Sequence, residues 1–190
     1  MTENENLIKK QQAVADRALV MSYLIDPFAI VAGGAPRDWY FNKPAKDIDL
    51  FFSVKDHVQI HIINEMLKIA GFEVDSSKAA DDLPDWYNHN PNIRAVFNAQ
   101  IDDVDVQLIL VKDSPFKVVN QFPLSICKAW YKNGQIQTDK DFNITVKHKS
   151  IFKTNTLYAQ GNAYLKKVLD KFKDFQYYDN LGELLIAVYK

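Results

Sequence analysis

Asp47 and Asp49 stand one residue apart in Lys46-Asp-Ile-Asp-Leu-Phe-Phe52, a spacing with a definite chemistry. On an extended strand the side chains alternate between faces, so the two carboxylates share one face while Ile48 and Leu50 take the other. Adjacent carboxylates repel unless a cation lies between them, and hard oxygen donors select Mg²⁺ or Mn²⁺. Upstream, Val31-Ala-Gly-Gly-Ala-Pro-Arg-Asp38 supplies what such an ion would need beside it. Gly33 and Gly34 let the backbone turn sharply and approach a ligand without a Cβ in the way. Pro36 suits the first turn of a helix, whose outward-pointing amides favour a phosphate anion, and Arg37 adds a charge-assisted contact. The combination reads as a site for a nucleoside triphosphate and its metal ions, arranged for two-metal phosphoryl transfer.

Such a site needs strands and helices to hold it. Phe28-Ala-Ile-Val-Ala32 is a short apolar run that predicts a strand ending at the diglycine. Before it, Leu7 to about Tyr23 has apolar residues at helical spacing, which predicts an N-terminal helix. After the aspartates, Ser53 is an N-cap for a helix from about Lys55 to Ala70, with Gly71 as its stop. His57 and His61 on that helix have a zinc-compatible spacing, but no third ligand is close in sequence. Ile60, Ile62 and Ile63 account for the packing face, so the histidines are read as surface residues.

Phe72-Glu-Val-Asp75 predicts a short strand, and Ser76 to Pro91 a polar loop whose Trp86-Tyr87 pair either stacks on a base or anchors the loop. Ile93 to Ala99 and Val104 to Val111 form a hairpin around Asp102-Asp103, with Val104, Val106, Leu108 and Leu110 on one face and Asp103, Asp105, Gln107 and Ile109 on the other. Ser114-Pro115 opens a short helix through about Val119. Asp139 through Ile151 fits a further short helical element, and Thr156 to Phe175 and Asn180 to Tyr189 read as two helices.

A chain of 190 residues that is 47% hydrophobic can bury a real core, which implies one compact domain with a modest appendage. Met1-Thr-Glu-Asn-Glu-Asn6 is acidic and unlike a secretory signal, and no apolar stretch approaches membrane-spanning length. A soluble, cytoplasmic protein is the expectation. Cys127 is the single cysteine, which excludes an internal disulfide and a cysteine-based zinc site; its apolar neighbours make it a buried structural thiol. The net charge of −1 hides an asymmetry. From Lys112 onward there are 13 lysines against 7 acidic residues, whereas the residues before it carry 10 basic and 17 acidic side chains. An acidic metal-binding half beside a Lys-rich half suits a protein that binds a polyanion next to its metal. Alternatively, Lys166, Lys167, Lys171 and Lys173 form only a solvated helix face.

Gly33, Gly34, Arg37, Asp38, Asp47 and Asp49 match the pattern Gly-Gly-x-x-Arg-Asp, a short helix, then Asp-x-Asp. In this the chain resembles the DNA polymerase β-like nucleotidyltransferase superfamily, and within it the head domain of CCA-adding enzymes and bacterial poly(A) polymerases. The resemblance covers roughly Phe28 to Ile151. It implies an α/β (α+β) fold, a mixed sheet flanked by helices, with residues 1–151 as the nucleotidyltransferase domain and 152–190 as a small C-terminal helical extension. It further implies that a third carboxylate lies on the strand beside Asp-x-Asp, which makes Asp105 the candidate and Asp103 the runner-up. Asp38 is read as capping its helix or orienting Arg37. Three departures stand out. The family's Arg-Asp pair is Asn120-Gln121 here, the Tyr158 to Lys167 stretch holds no arginine, and there is no Glu-Asp-x-x-Arg element.

The function so implied is a minimal Mg²⁺- or Mn²⁺-dependent nucleotidyltransferase that moves a nucleoside monophosphate from an NTP to an acceptor hydroxyl, with an RNA or tRNA end favoured. Asp47, Asp49 and Asp105 would be its metal ligands, and Gly33, Gly34 and Arg37 its triphosphate contacts. Two alternatives remain open: a nucleotide- or RNA-binding regulatory module without turnover, and a toxin-like or phage-encoded transferase acting on tRNA or a protein side chain.

Overall fold

The computed structural model describes residues 2–55, 57–75, 90–154 and 162–189. Along the chain run α1 (Glu3–Ser22), β1 (Ile30–Ala32), α2 (Gly34–Tyr40), β2 (Ile48–Ser53), α3 (Ile60–Ile69), β3 (Val74–Asp75), β4 (Ile93–Ile101) and β5 (Val104–Val111). Then follow α4 (Pro115–Asn120), a 3₁₀ turn (Ser125–Cys127), β6 (Ala129–Lys132), β7 (Gln135–Thr138), α5 (Lys140–His148), β8 (Ser150–Phe152), α6 (Asn162–Lys171), β9 (Gln176–Tyr178) and α7 (Leu181–Val188). Seven strands form one mixed sheet in the order β3-β4-β5-β2-β1-β6-β7, and β8 pairs with β9 in parallel apart from it.

Strand alternation sorts the core into two layers. Ile48, Leu50 and Phe52 of β2 join Val104, Val106, Leu108 and Leu110 of β5 on the face covered by α1 and α3. Phe51, Ile109 and Val111 point the opposite way, into a second cluster with Phe122, Phe142 of α5, and Val168 of α6 and the following Phe172. Asp49 therefore belongs to the face on which the C-terminal third of the chain packs. The β4–β5 hairpin turns through Asp102 and Asp103, both with positive φ (49° and 63°), the conformation of a tight two-residue turn. Capping at the N-terminus is reciprocal: Thr2 Oγ1 accepts from the Glu5 amide and Glu5 accepts from the Thr2 amide.

Several sequence expectations need correction. The helix expected from Lys55 starts at Ile60, capped by the backbone of Gln59 rather than by Ser53. Arg94 on β4 explains the delay, because its guanidinium donates to the carbonyls of Val54, Lys55 and Val58 and holds that backbone outside a helix. The buried face of α3 is Ile63 and Leu67, while Ile60 and Ile62 are exposed. His57 and His61 are exposed, as expected. Ser114 precedes α4, but its side chain makes no capping bond. The segment from Asp139 is helical only to His148 and then becomes strand β8. Near the C-terminus, β9 separates the two expected helices, because Gln176–Tyr178 can pair with β8. Trp86 and Tyr87 lie outside the described residues.

Candidate active site

Gly33 ends β1 and caps α2 with φ 83° and ψ −118°, a conformation open to glycine and costly for other residues. Its amide donates to Ala129 O on β6, which fixes the turn to the sheet. A Cβ placed on Gly33 would lie 3.7 Å from Asp49 Oδ2 and 3.7 Å from the Phe122 ring. The diglycine turn and the second aspartate are thus in contact range, because β1 and β2 are antiparallel neighbours, with Val31 opposite Leu50. Phe122 backs this junction and meets Phe51 edge-on at 5.9 Å.

Arg37 is buried rather than extended into solvent. Its Nε donates to Asp38 Oδ1 at 2.8 Å and its Nη1 to Cys127 Sγ at 3.4 Å. The guanidinium stacks over the ring of Phe172 at 5.5 Å. The remaining edge turns to the diglycine, with Nη2 3.8 Å from where a Gly34 Cβ would stand. Burial alone disfavours the charged guanidinium, but Cys127, Asp38 and Tyr164 outweigh it and hold the pKa above its ordinary value. Asp38 orients Arg37, as expected from sequence, and its other oxygen pairs with Lys171 Nζ of α6. Cys127 is buried, and its sulfur also bonds the Tyr164 hydroxyl at 3.2 Å. Burial first, then Cys127 and the Asp49 carboxylate, push the Tyr164 phenol well above its ordinary range, with Arg37 opposing. Tyr164 is thus a neutral phenol at physiological pH, close enough to Asp49 to feel its charge.

Asp47 and Asp105 meet in a recess whose lining does not include Asp49. It measures about 220 Å³ and is lined also by Lys46, Asn98 and Gln107. Lys46 Nζ is 3.8 Å from Asp47 Oδ2 in an exposed pairing, worth little in free energy. In the parallel β2–β5 ladder Ile48 faces Val106 and Asp49 faces Gln107. The side chain beside Asp49 is therefore an amide, and Asp105 stands two residues earlier, exposed, accepting a long bond from Gln100 Nε2 at 3.4 Å. Asp103 occupies the turn. Among the described residues, no group of three or more His, Cys, Asp or Glu side chains is placed to hold a metal ion. The structure thus brings Gly33, Gly34, Arg37 and Asp49 together, and Asp47 and Asp105 together in the recess. Tyr164, Cys127 and Lys171 enter the site unforeseen; the only hint in sequence was the Tyr-to-Lys spacing of seven on one helix, which puts both on one face.

No protein-family model matches the chain, and no curated protein does. Solved structures do. The Thermotoga maritima CCA-adding enzyme complexed with tRNA matches with a TM-score of 0.59 at 13% identity, over 97% of this chain and 44% of that one. A CCA-adding enzyme in complex with ATP matches with a TM-score of 0.59 at 11% identity, over 88% and 39%. One with CTP matches with a TM-score of 0.55 at 14% identity, over 84% and 39%. The chain spans less than half the length of each of these structures. Identity this low makes the likeness one of architecture, and the mixed sheet with its flanking helices is a nucleotidyltransferase-like fold, the fold that this chain shares with CCA-adding enzymes.

Proposed function

We propose that this protein is a metal-dependent nucleotidyltransferase that transfers a nucleoside monophosphate from an NTP to an acceptor hydroxyl, with an RNA end as the favoured acceptor, and releases pyrophosphate. The observation that carries the reading is the contact between the Gly33 turn and Asp49, which brings a backbone suited to phosphates against a carboxylate on a neighbouring strand. The fold likeness to CCA-adding enzymes, solved with CTP, ATP or tRNA, supports the same substrates here.

The donors around the site are carboxylate and amide oxygens, the hard ligands that Mg²⁺ or Mn²⁺ prefers, so the residue types fit a divalent ion. Asp47 and Asp49 would hold it, and Asp105, the third carboxylate expected from the resemblance, is not grouped with them among the described residues. Bound there, such an ion supplies charge neutralisation for the reacting phosphoryl group. The chain's own residues do the rest by positioning. The glycines leave room for the triphosphate to approach the backbone, and the Nη2 edge of Arg37 presents a fixed positive charge beside them. Positioning and charge complementarity of this kind suffice for phosphoryl transfer without a covalent nucleophile.

A nucleotide- or RNA-binding module without turnover is the second reading, favoured by Gln107 standing where a carboxylate beside Asp49 would sit. Incubation with each labelled NTP and total RNA, with Mg²⁺ or Mn²⁺, separates the two. Label in RNA with pyrophosphate released supports transfer. NTP binding without label transfer supports the module, and no NTP binding overturns both.

A further inference from the structure

We propose that Lys171 and Tyr164 of α6 are positioning residues: they fix the two side chains that hold Arg37, and so aim its guanidinium at the diglycine turn. The inference rests on the triphosphate site proposed above.

Among the described residues Arg37 has two side-chain anchors, Asp38 at Nε and Cys127 at Nη1. Each anchor is backed by α6. Lys171 Nζ pairs with the Asp38 oxygen that Arg37 does not use, and the Tyr164 hydroxyl bonds the sulfur of Cys127. Tyr164, Val168 and Lys171 recur at helical spacing and form one face, with Val168 buried between the two contacts. The residue after α6, Phe172, lies under the guanidinium plane. It also takes Lys43 Nζ over its ring at 4.6 Å, and that ammonium donates to Lys171 O at 2.7 Å. Asp38 is 4% exposed and its partner Lys171 33%. An aspartate that buried, placed between two cations, has one low-energy orientation. Without Lys171 it keeps, among the described residues, only the side chain of its neighbour Arg37 and can rotate with it. The guanidinium is therefore held on its plane and two of its nitrogens, and the one edge left toward Gly34 is the edge that would meet a phosphate oxygen.

The chain holds only three arginines, Arg17, Arg37 and Arg94, so the Nε–H signal of Arg37 can be followed by NMR in the ¹⁵N-labelled protein. In Lys171→Met this proton should exchange with water about tenfold faster or more, and KM for NTP should rise about tenfold with kcat within about twofold. Lys171→Arg should restore both. Val168→Ala is the packing control, lowering Tm without moving either readout. If Lys171→Met fails to fold, Tyr164→Phe removes the other support and should also speed Arg37 exchange. An unchanged Arg37 signal in whichever variant is folded overturns the proposal, as does an equal change in Val168→Ala. Should the wild-type protein transfer no nucleotide, the proposed function falls, and the exchange rate alone decides this inference.

Discussion

Asp49 and Gly33 test one another, because each occupies the space that the other leaves. Replacing Asp49 by Asn keeps the shape and removes the charge, so transfer should drop roughly a thousandfold or more, about 4 kcal/mol in the transition state, with Tm unchanged. Asp47→Asn should do the same, and a folded double variant with full activity in the labelled-NTP assay would refute the site. The glycines are not equivalent. Gly33→Ala puts a Cβ at a positive φ and against Asp49, costing about 1–3 kcal/mol in chemical denaturation as well as activity. Among the described residues Gly34→Ala meets only the end of Arg37, at ordinary contact distance, so its stability should stay within about 1 kcal/mol of wild type. These residues were legible in sequence because their chemistry is local: two glycines at a strand end, and two aspartates at strand spacing. Tyr164, Cys127 and Lys171 were not. Nothing in a lone cysteine or a lysine-rich helix says which buried arginine it will face, since that depends on how α6 docks against the sheet.

At the scale of elements, periodicity found α1, the β4–β5 hairpin and the two faces of β5, because burial on one side imposes the pattern. It failed where a distant residue overrode local propensity. Arg94 holds the backbone before α3, and β9 exists only because β8 lies beside it. The cap of α5 offers a test at this scale. Asp139 Oδ1 accepts from the Phe142 amide at 2.8 Å, so Asp139→Ala should cost about 1 kcal/mol, read by urea unfolding. Burial, more than any other cause, pushes the Asp139 carboxyl above its ordinary range. A carboxyl with a raised folded pKa binds its proton more tightly in the native state. Its contribution is therefore full below the unfolded pKa and is lost as pH rises through the folded one. From about pH 4 upward, wild type should lose stability relative to Asp139→Asn, which keeps the cap acceptor and cannot titrate. Parallel curves would show that Asp139 does not carry that dependence.

For the whole molecule, the Lys-rich part of the chain packs on the sheet face to which Asp49 belongs, while α1 and α3 of the acidic part cover the opposite face. No described helix is long and apolar enough to cross a membrane. Of the four lysines grouped in sequence, Lys171 is committed to Asp38, whereas Lys166, Lys167 and Lys173 remain exposed. If RNA is the acceptor, its affinity should fall steeply with salt, and neutralising those three should flatten the slope by roughly one unit per lost phosphate contact. Filter binding across a salt series reads this directly, and a slope unchanged by the triple variant would place the RNA elsewhere. The contact between Asp38 and Lys171 spans 133 residues of chain. Synthesis runs from the N-terminus, so both aspartates and the diglycine leave the ribosome well before α6 does. Until residue 171 has emerged, Asp38 lacks Lys171, and closing so long a loop carries its own entropy cost. If the diglycine turn is the triphosphate site, a nascent chain can display the whole Asp-x-Asp motif and still lack the Lys171 support that holds Arg37 toward it.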